Sequence, residues 1–209
     1  RGSQSRCWDR DKVAPPICDA IFEATGAACA IGGVPWFGGD GVLTAESAAD
    51  YTCPLECGRA IQDAWNYCQT SFGTYTTTEL TAEQRTVWYT LIDWDEDNPG
   101  PCMATFRNYV QERVAEVASG PCRLAYNNCV GGQNKGWCTR NLGDAIRSLQ
   151  SEYARASWES QMCSTSRDFQ WLYQCVREQD VANGLRVDQV ETPWRAASCA
   201  PSDKLTRVQ

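Results

Sequence analysis

Apolar residues recur along this chain at three- and four-residue spacing, the period of one helix face, and seldom at the two-residue spacing of a half-buried strand. Ile17, Ile21 and Ala24 mark a first helix, opened by Pro15-Pro16 in the position where proline's missing N–H costs nothing. Between Pro54 and Phe72 the stripe runs Cys57, Ile61, Ala64, Trp65, Cys68, Phe72. Thr81-Ala82-Glu83-Gln84 has the form of a capping box, and Val87, Trp88, Leu91 and Ile92 carry the period onward. The cleanest stripe starts at Pro101-Cys102 and passes through Met103, Phe106, Val110, Val114 and Val117 before Gly120-Pro121 stops it. Leu142, Ala145, Ile146, Leu149, Tyr153 and Ala156 predict one long helix. Phe169, Leu172, Tyr173 and Val176 predict a last one, with Ser166 at its N-cap and Asn183-Gly184 beyond its end. The one β-branched and aromatic run, Phe72-Gly73-Thr74-Tyr75-Thr76-Thr77-Thr78, fits a short strand or an extended connector. From Arg186 no period is sustained, and the tail is expected to wrap the surface, held by Cys199.

This pattern predicts a mainly α fold: a disulfide-rich compact helical bundle with Gly/Pro-rich loops and little or no β. At 209 residues the expected organisation is a single domain, 1–209, with an internal boundary near 119–121 as the alternative. Gly100-Pro101-Cys102 is echoed at Gly120-Pro121-Cys122, too short a match to establish a repeat. The segment from Gly32 to Gly41 places five glycines around Trp36 and Phe37 and reads as an ordered loop.

The thirteen cysteines change the picture most: Cys7, Cys18, Cys29, Cys53, Cys57, Cys68, Cys102, Cys122, Cys129, Cys138, Cys163, Cys175 and Cys199. There is no C-x-x-C and no histidine, so the spread reads as a chain-wide disulfide network in place of zinc sites. Cys18 and Cys29 are eleven residues apart, as are Cys57 and Cys68; eleven residues is three helical turns, which puts each pair on one face. Cys53 and Cys57 lie one turn apart with parallel side chains, so each is expected to bridge to a neighbouring element. Thirteen is odd, which leaves one cysteine for an intermolecular bridge or a buried free thiol. Cysteines used this way belong to an oxidising compartment, and the chain is expected to be secreted, its signal peptide already removed. No apolar run approaches the ~20 residues of a membrane span. The net charge of -7 argues against nucleic acid and anionic membrane surfaces as partners.

Having no histidine removes Ser-His-Asp and Cys-His nucleophile pairs and His-ligated zinc hydrolysis, and leaves carboxylate chemistry. Asp93, Asp95, Glu96 and Asp97, with Trp88, Tyr89 and Trp94 nearby, hold the minimal kit of a glycosidase, an acid–base pair beside sugar-stacking rings. Asp93-x-Asp95-x-Asp97-Asn98 also matches the first six positions of an EF-hand loop, with Asn where Gly makes the turn. Ala104 stands where the bidentate Glu belongs, so calcium on Asp93, Asp95 and Asp97 competes with a hydrated acidic turn. No other cofactor is indicated. Trp65, Trp88 and Trp171 fall on apolar helical faces and read as core. Trp36, Phe37, Trp94, Trp137 and Trp194 fall in loops and are the candidates for contact with a ligand or partner.

Cys53-Pro54-Leu55-Glu56-Cys57, followed by Trp65-Asn66-Tyr67-Cys68-Gln69-Thr70-Ser71-Phe72, resembles the cysteine- and tryptophan-rich helical segment of folate-receptor and riboflavin-binding ectodomains. The third cysteine comes later here than in that family. What the resemblance implies is the binding of a small ligand. The leading expectation is instead a secreted, non-catalytic structural or protein-interaction subunit of an extracellular or cell-surface assembly. Such a chain would meet a protein partner or a second copy, in one version through an intermolecular disulfide. A small-ligand or glycan-binding protein is the alternative, and a carboxylate-dependent glycoside hydrolase the third reading.

Overall fold

Ten α-helices carry most of the residues that the computed structural model describes, which are 12–31, 34–35, 43–78, 80–93, 95–133 and 135–187. They are α1 (Pro15–Ala28), α2 (Ala45–Ala48), α3 (Leu55–Tyr67), α4 (Gln69–Thr78), α5 (Ala82–Leu91), α6 (Pro101–Ser119), α7 (Arg123–Gly131), α8 (Lys135–Leu149), α9 (Glu152–Ser160) and α10 (Arg167–Ala182). One 3-10 turn spans Met162–Ser164, and the only described strands are β1 (Ala30–Ile31) and β2 (Val34–Pro35), paired antiparallel as Ala30↔Pro35 and Ile31↔Val34. The protein is thus mainly α and disulfide-rich, a helical bundle in which β structure among the described residues is one two-residue ladder. Two units divide it, residues 1–109 and 110–209, and the division falls inside α6 ahead of the Gly120-Pro121 break.

In the first unit α1 and α3 are antiparallel, bridged at both ends. Cys18 near the start of α1 bonds Cys68 at the end of α3, and Cys29 past the end of α1 bonds Cys57 in the first turn of α3. Eleven residues on one helix therefore face eleven on the other. The buried face of α1 is Cys18, Ile21, Phe22, Thr25 and Gly26, while Ile17 is 37% exposed and Ala24 also faces out. The apolar stripe is thus turned by about one residue from the Ile17–Ile21–Ala24 line. Neither α1 nor α3 has a side-chain N-cap; each opens on a proline, and the bridges fix their ends. The Thr81/Gln84 capping box of α5 forms in both directions, at 3.2 and 2.9 Å. Val87, Trp88, Leu91 and Ile92 behind it are all buried.

The threonine-rich run after Phe72 is helix α4, which corrects the strand or connector reading. Three threonines turn their hydroxyls back onto the carbonyl four residues earlier: Thr74 onto Thr70 at 3.2 Å, Thr77 onto Gly73 at 2.7 Å and Thr78 onto Thr74 at 2.8 Å. That bond satisfies the hydroxyl inside a helix at little cost. Tertiary contact does the rest, with Tyr75 stacked on Phe22 at 4.8 Å and Phe72 against Trp88 at 4.9 Å.

In the second unit Cys122–Cys175 ties the start of α7 to α10. Cys129–Cys138 joins the end of α7 to the start of α8, closing the glycine-rich loop between them. Leu142, Ala145, Ile146, Leu149, Met162, Phe169, Leu172, Tyr173 and Val176 are buried together. The single helix expected from Leu142 to Ala156 is two, α8 and α9, broken at Gln150-Ser151. Ser151 caps α9 by accepting the Ala154 N–H at 3.3 Å, and Arg155 reaches back to donate to the Leu149 carbonyl at 2.8 Å. α10 is capped as expected by Ser166, which accepts the Phe169 N–H at 3.3 Å. It ends in a Schellman motif, with Gly184 at φ 109°, its N–H on the Val181 carbonyl and the Leu185 N–H on that of Asp180.

The Cys18–Cys68 bridge spans 50 residues, but the nested Cys29–Cys57 bond shortens the loop it closes to two eleven-residue arms. Replacing both Cys18 and Cys68 by alanine is expected to lower unfolding free energy by about 3 kcal/mol, through loop-closure entropy restored to the unfolded chain. Urea unfolding without reductant measures it, and a loss below about 1 kcal/mol would show that the bridge constrains little.

Candidate functional site

Four sulfurs meet where α1, α3 and α6 come together in the first unit. Cys53 stands just before α3 and Cys57 in its first turn, while Cys102 is the second residue of α6 and Cys29 follows α1. The bridges are Cys29–Cys57 and Cys53–Cys102, and they lie side by side, with Cys57 Sγ 3.9 Å from Cys102 Sγ. Neither sulfur carries a hydrogen, so this contact is dispersion between two disulfides and no hydrogen bond. The Sγ atoms of Cys53, Cys57 and Cys102 all fall within 4.8 Å of one another, and each residue is buried, as is Cys29. Two further contacts hold the junction. Thr105 donates its hydroxyl to the Cys53 carbonyl at 3.0 Å. Gly58 lets α3 approach α6 so closely that a Cβ there would sit 3.0 Å from the Cys102 carbonyl oxygen.

The second constellation is ionic and lies in the second unit. Glu159 of α9 is 6% exposed and Arg177 of α10 is 2% exposed. Arg177 Nε donates to Glu159 Oε1 at 2.6 Å, and the Tyr173 hydroxyl donates to the same oxygen at 3.3 Å. Arg113 of α6 and Asp180 of α10 form another pair, with Arg113 Nη2 3.0 Å and Nε 3.1 Å from Asp180 Oδ1. Gln150 donates to Asp180 Oδ2 at 3.2 Å. Burial first, then the charge and hydrogen bond of Glu159, push the Tyr173 phenol far above its ordinary value. Glu159 is therefore no ordinary helix-surface residue. Its carboxylate and that of Asp180 are each occupied by a guanidinium, and they lock α9, α10 and the end of α6.

The acidic loop is a hydrogen-bonded turn. The Asp95 N–H donates to Asp93 Oδ1 at 3.2 Å, and Asp95 Oδ1 accepts from the N–H groups of Asp97 at 2.9 Å and Asn98 at 3.3 Å. Arg107 of α6 donates twice to the Glu96 carbonyl, both at 3.1 Å. All four carboxylates are exposed. Asp93, Asp95 and Asp97 are not gathered into one ligand set; among the described residues the gathered group is the cysteine trio.

Of the five loop aromatics, Trp36, Phe37, Trp94 and Trp194 lie outside the described residues. Trp137 lies not in a loop but in the first turn of α8, where its ring meets Phe169 edge-on at 4.5 Å. Trp65 and Trp88 pack with Phe72 at 5.7 and 4.9 Å; Trp88 is fully buried in the core role expected of it, whereas Trp65 and Trp171 are only half-buried. All eleven described cysteines are disulfide-bonded, Cys163 included; Cys7 and Cys199 lie outside the described residues.

Little along the chain marks the buried ion pairs. Their trace is Arg113, which falls on the apolar stripe of α6 between Val110 and Val117, and Arg177, one turn after Tyr173 on the buried side of α10.

Two outcomes follow from these groups. Glu159→Gln or Arg177→Met alone is expected to cost about 3–5 kcal/mol by stranding a buried charge, and the double change Glu159→Leu/Arg177→Met to cost far less. Urea midpoints of the three variants test this, and equal losses in all three would contradict it. Tyr67 is pushed up to about 12, by burial first and then by the charge of Asp63. Folded Tyr67 and Tyr173 thus keep protons that the unfolded chain releases, so stability is whole below about pH 10 and declines as pH rises toward 12. The decline is read from urea midpoints across that window, and Tyr67→Phe/Tyr173→Phe is expected to flatten it.

No protein-family model matches this chain, and neither does any curated protein or solved structure.

Proposed function

We propose that this chain is a secreted, non-catalytic structural or protein-interaction subunit of an extracellular or cell-surface assembly. One observation carries the reading: the described cysteines and the buried carboxylates are consumed in holding the fold. All eleven described cysteines are bonded. The two most buried carboxylates, Glu159 and Asp180, are paired to arginines. With no histidine in the chain, Ser-His-Asp and Cys-His sets are excluded. Bridges that reinforce helices already able to bury a core suit a scaffold that must endure proteolysis or load.

Parity supplies the link to a partner. The thirteen cysteines of these 209 residues cannot all pair with one another, and every described one is bonded, so a cysteine left for a partner is Cys7 or Cys199. Trp137, seated against Phe169, serves the core and offers less to a small ligand.

Non-reducing mass spectrometry of native material, with peptide mapping, tests the reading. The expected result is a disulfide-linked dimer or partner, joined through Cys7 or Cys199 and released by reductant. A strictly monomeric protein that retains one free thiol and captures no neighbour on chemical cross-linking would overturn it.

A further inference from the structure

We propose that Cys29, Cys53, Cys57 and Cys102 form a four-thiolate site for zinc or a similarly soft divalent ion when their two disulfides are open. The oxidised junction then serves as a cross-link and the reduced one as a metal centre. This goes beyond the scaffold reading and does not depend on it.

Three of the four sulfurs are already gathered, and the fourth is bonded to one of them. Four sulfurs around zinc at 2.3 Å lie about 3.8 Å apart along each edge of the tetrahedron. Cys57 Sγ and Cys102 Sγ, which belong to different bridges, already stand 3.9 Å apart, and Cys53 Sγ lies within 4.8 Å of both. Cys29 completes the set through its bond to Cys57. Once reduced, each bonded pair moves apart to non-bonded separation by rotation about χ1. Gly58 and the Thr105 hydrogen bond to the Cys53 carbonyl hold α3 and α6 together independently of the sulfurs.

Charge also favours the site. Four thiolates around a divalent cation leave two net negative charges in a buried place. The N-termini of α3 and α6, helices of 13 and 19 residues, both begin at the cluster, which sets their positive dipole ends beside it. By contrast, Cys129–Cys138 and Cys122–Cys175 do not belong to a gathered group of three or more ligand atoms among the described residues.

The chemistry balances with a dithiol or phosphine as reductant. Each disulfide takes up two electrons and two protons to give two thiols, while the dithiol becomes a disulfide or the phosphine a phosphine oxide, with water supplying the oxygen. The four thiols release their protons to solvent as they bind the metal.

The test uses the whole chain, reduced with a phosphine under argon and alkylated with a maleimide in the presence or absence of one equivalent of zinc. Peptide mapping is expected to show Cys29, Cys53, Cys57 and Cys102 protected by zinc and modified once a chelator removes it, with the other nine modified throughout. Cobalt in place of zinc is expected to give the visible bands of tetrahedral, all-thiolate coordination at one ion per chain. In Cys53→Ser/Cys102→Ser those bands are lost and Cys29 and Cys57 lose protection, whereas Cys129→Ser/Cys138→Ser keeps both signals. Protection spread evenly over all thirteen thiols, located elsewhere or absent would overturn the proposal. Because the mapping is read on the unmutated chain, it decides the matter even where a serine variant fails to fold.

Discussion

Two helices bridged at both ends by cysteines of equal spacing set the frame of the first unit. Eleven residues along an α-helix rise about 16.5 Å, and both α1 and α3 place bonded cysteines eleven residues apart. Equal rise lets both bonds close with the helices antiparallel and without stretching either. Once they close, the relative register of α1 and α3 is settled to within a fraction of a turn. Phe22, Phe72 and Trp88 pack against one another on this frame, and the Cys53–Cys102 bond brings the starts of α3 and α6 to the same place. Neither helix has a side-chain N-cap, since Ala14 and Pro54 carry no side-chain acceptor, and the bridges hold their ends.

The second unit adds a different kind of cohesion to its bridges. Arg177–Glu159 and Arg113–Asp180 are buried ion pairs, which contribute little net free energy but penalise any arrangement that separates them. Covalent bonds restrict the unfolded chain; buried charges restrict misassembled compact states. The broken α8–α9 corner depends on the second device, since Arg155 caps the Leu149 carbonyl at the point where the backbone turns.

Much of this was readable before the structure wherever a local rule governed the outcome. The Thr81 capping box, the stripe of α6 and the Ser166 and Gly184 ends of α10 each depend on residues within one or two turns. Eleven-residue spacing placed Cys18 with Cys29 and Cys57 with Cys68, though it could not say which pair would meet which. Reading failed where tertiary contact decided. Thr74, Thr77 and Thr78 have strand propensity, yet an aromatic neighbour from α1 and back-bonded hydroxyls make them helical. Ser151 has the same chemistry as any exposed polar residue until Arg155 is seen to cap across it. The buried charges of Glu159 and Asp180 gave no periodic signal, because a charged residue on a stripe looks the same whether its partner lies in solvent or on another helix. For the candidate site, all four junction cysteines were recognisable as bridge formers. Their convergence was not, since it depends on α6 returning to the start of α3.

The nine-residue separation of Cys129 and Cys138 makes the segment between them a small closed ring on the chain. Lys135, exposed within it, is the residue a trypsin-like protease would attack. A cut there opens the ring without releasing either half: the polypeptide is severed, but the sulfur bond keeps the pieces joined, and the intact mass rises by one water. Such nicked molecules would run as whole protein until reduced, so damage at this loop could accumulate over the protein's lifetime without altering its apparent size.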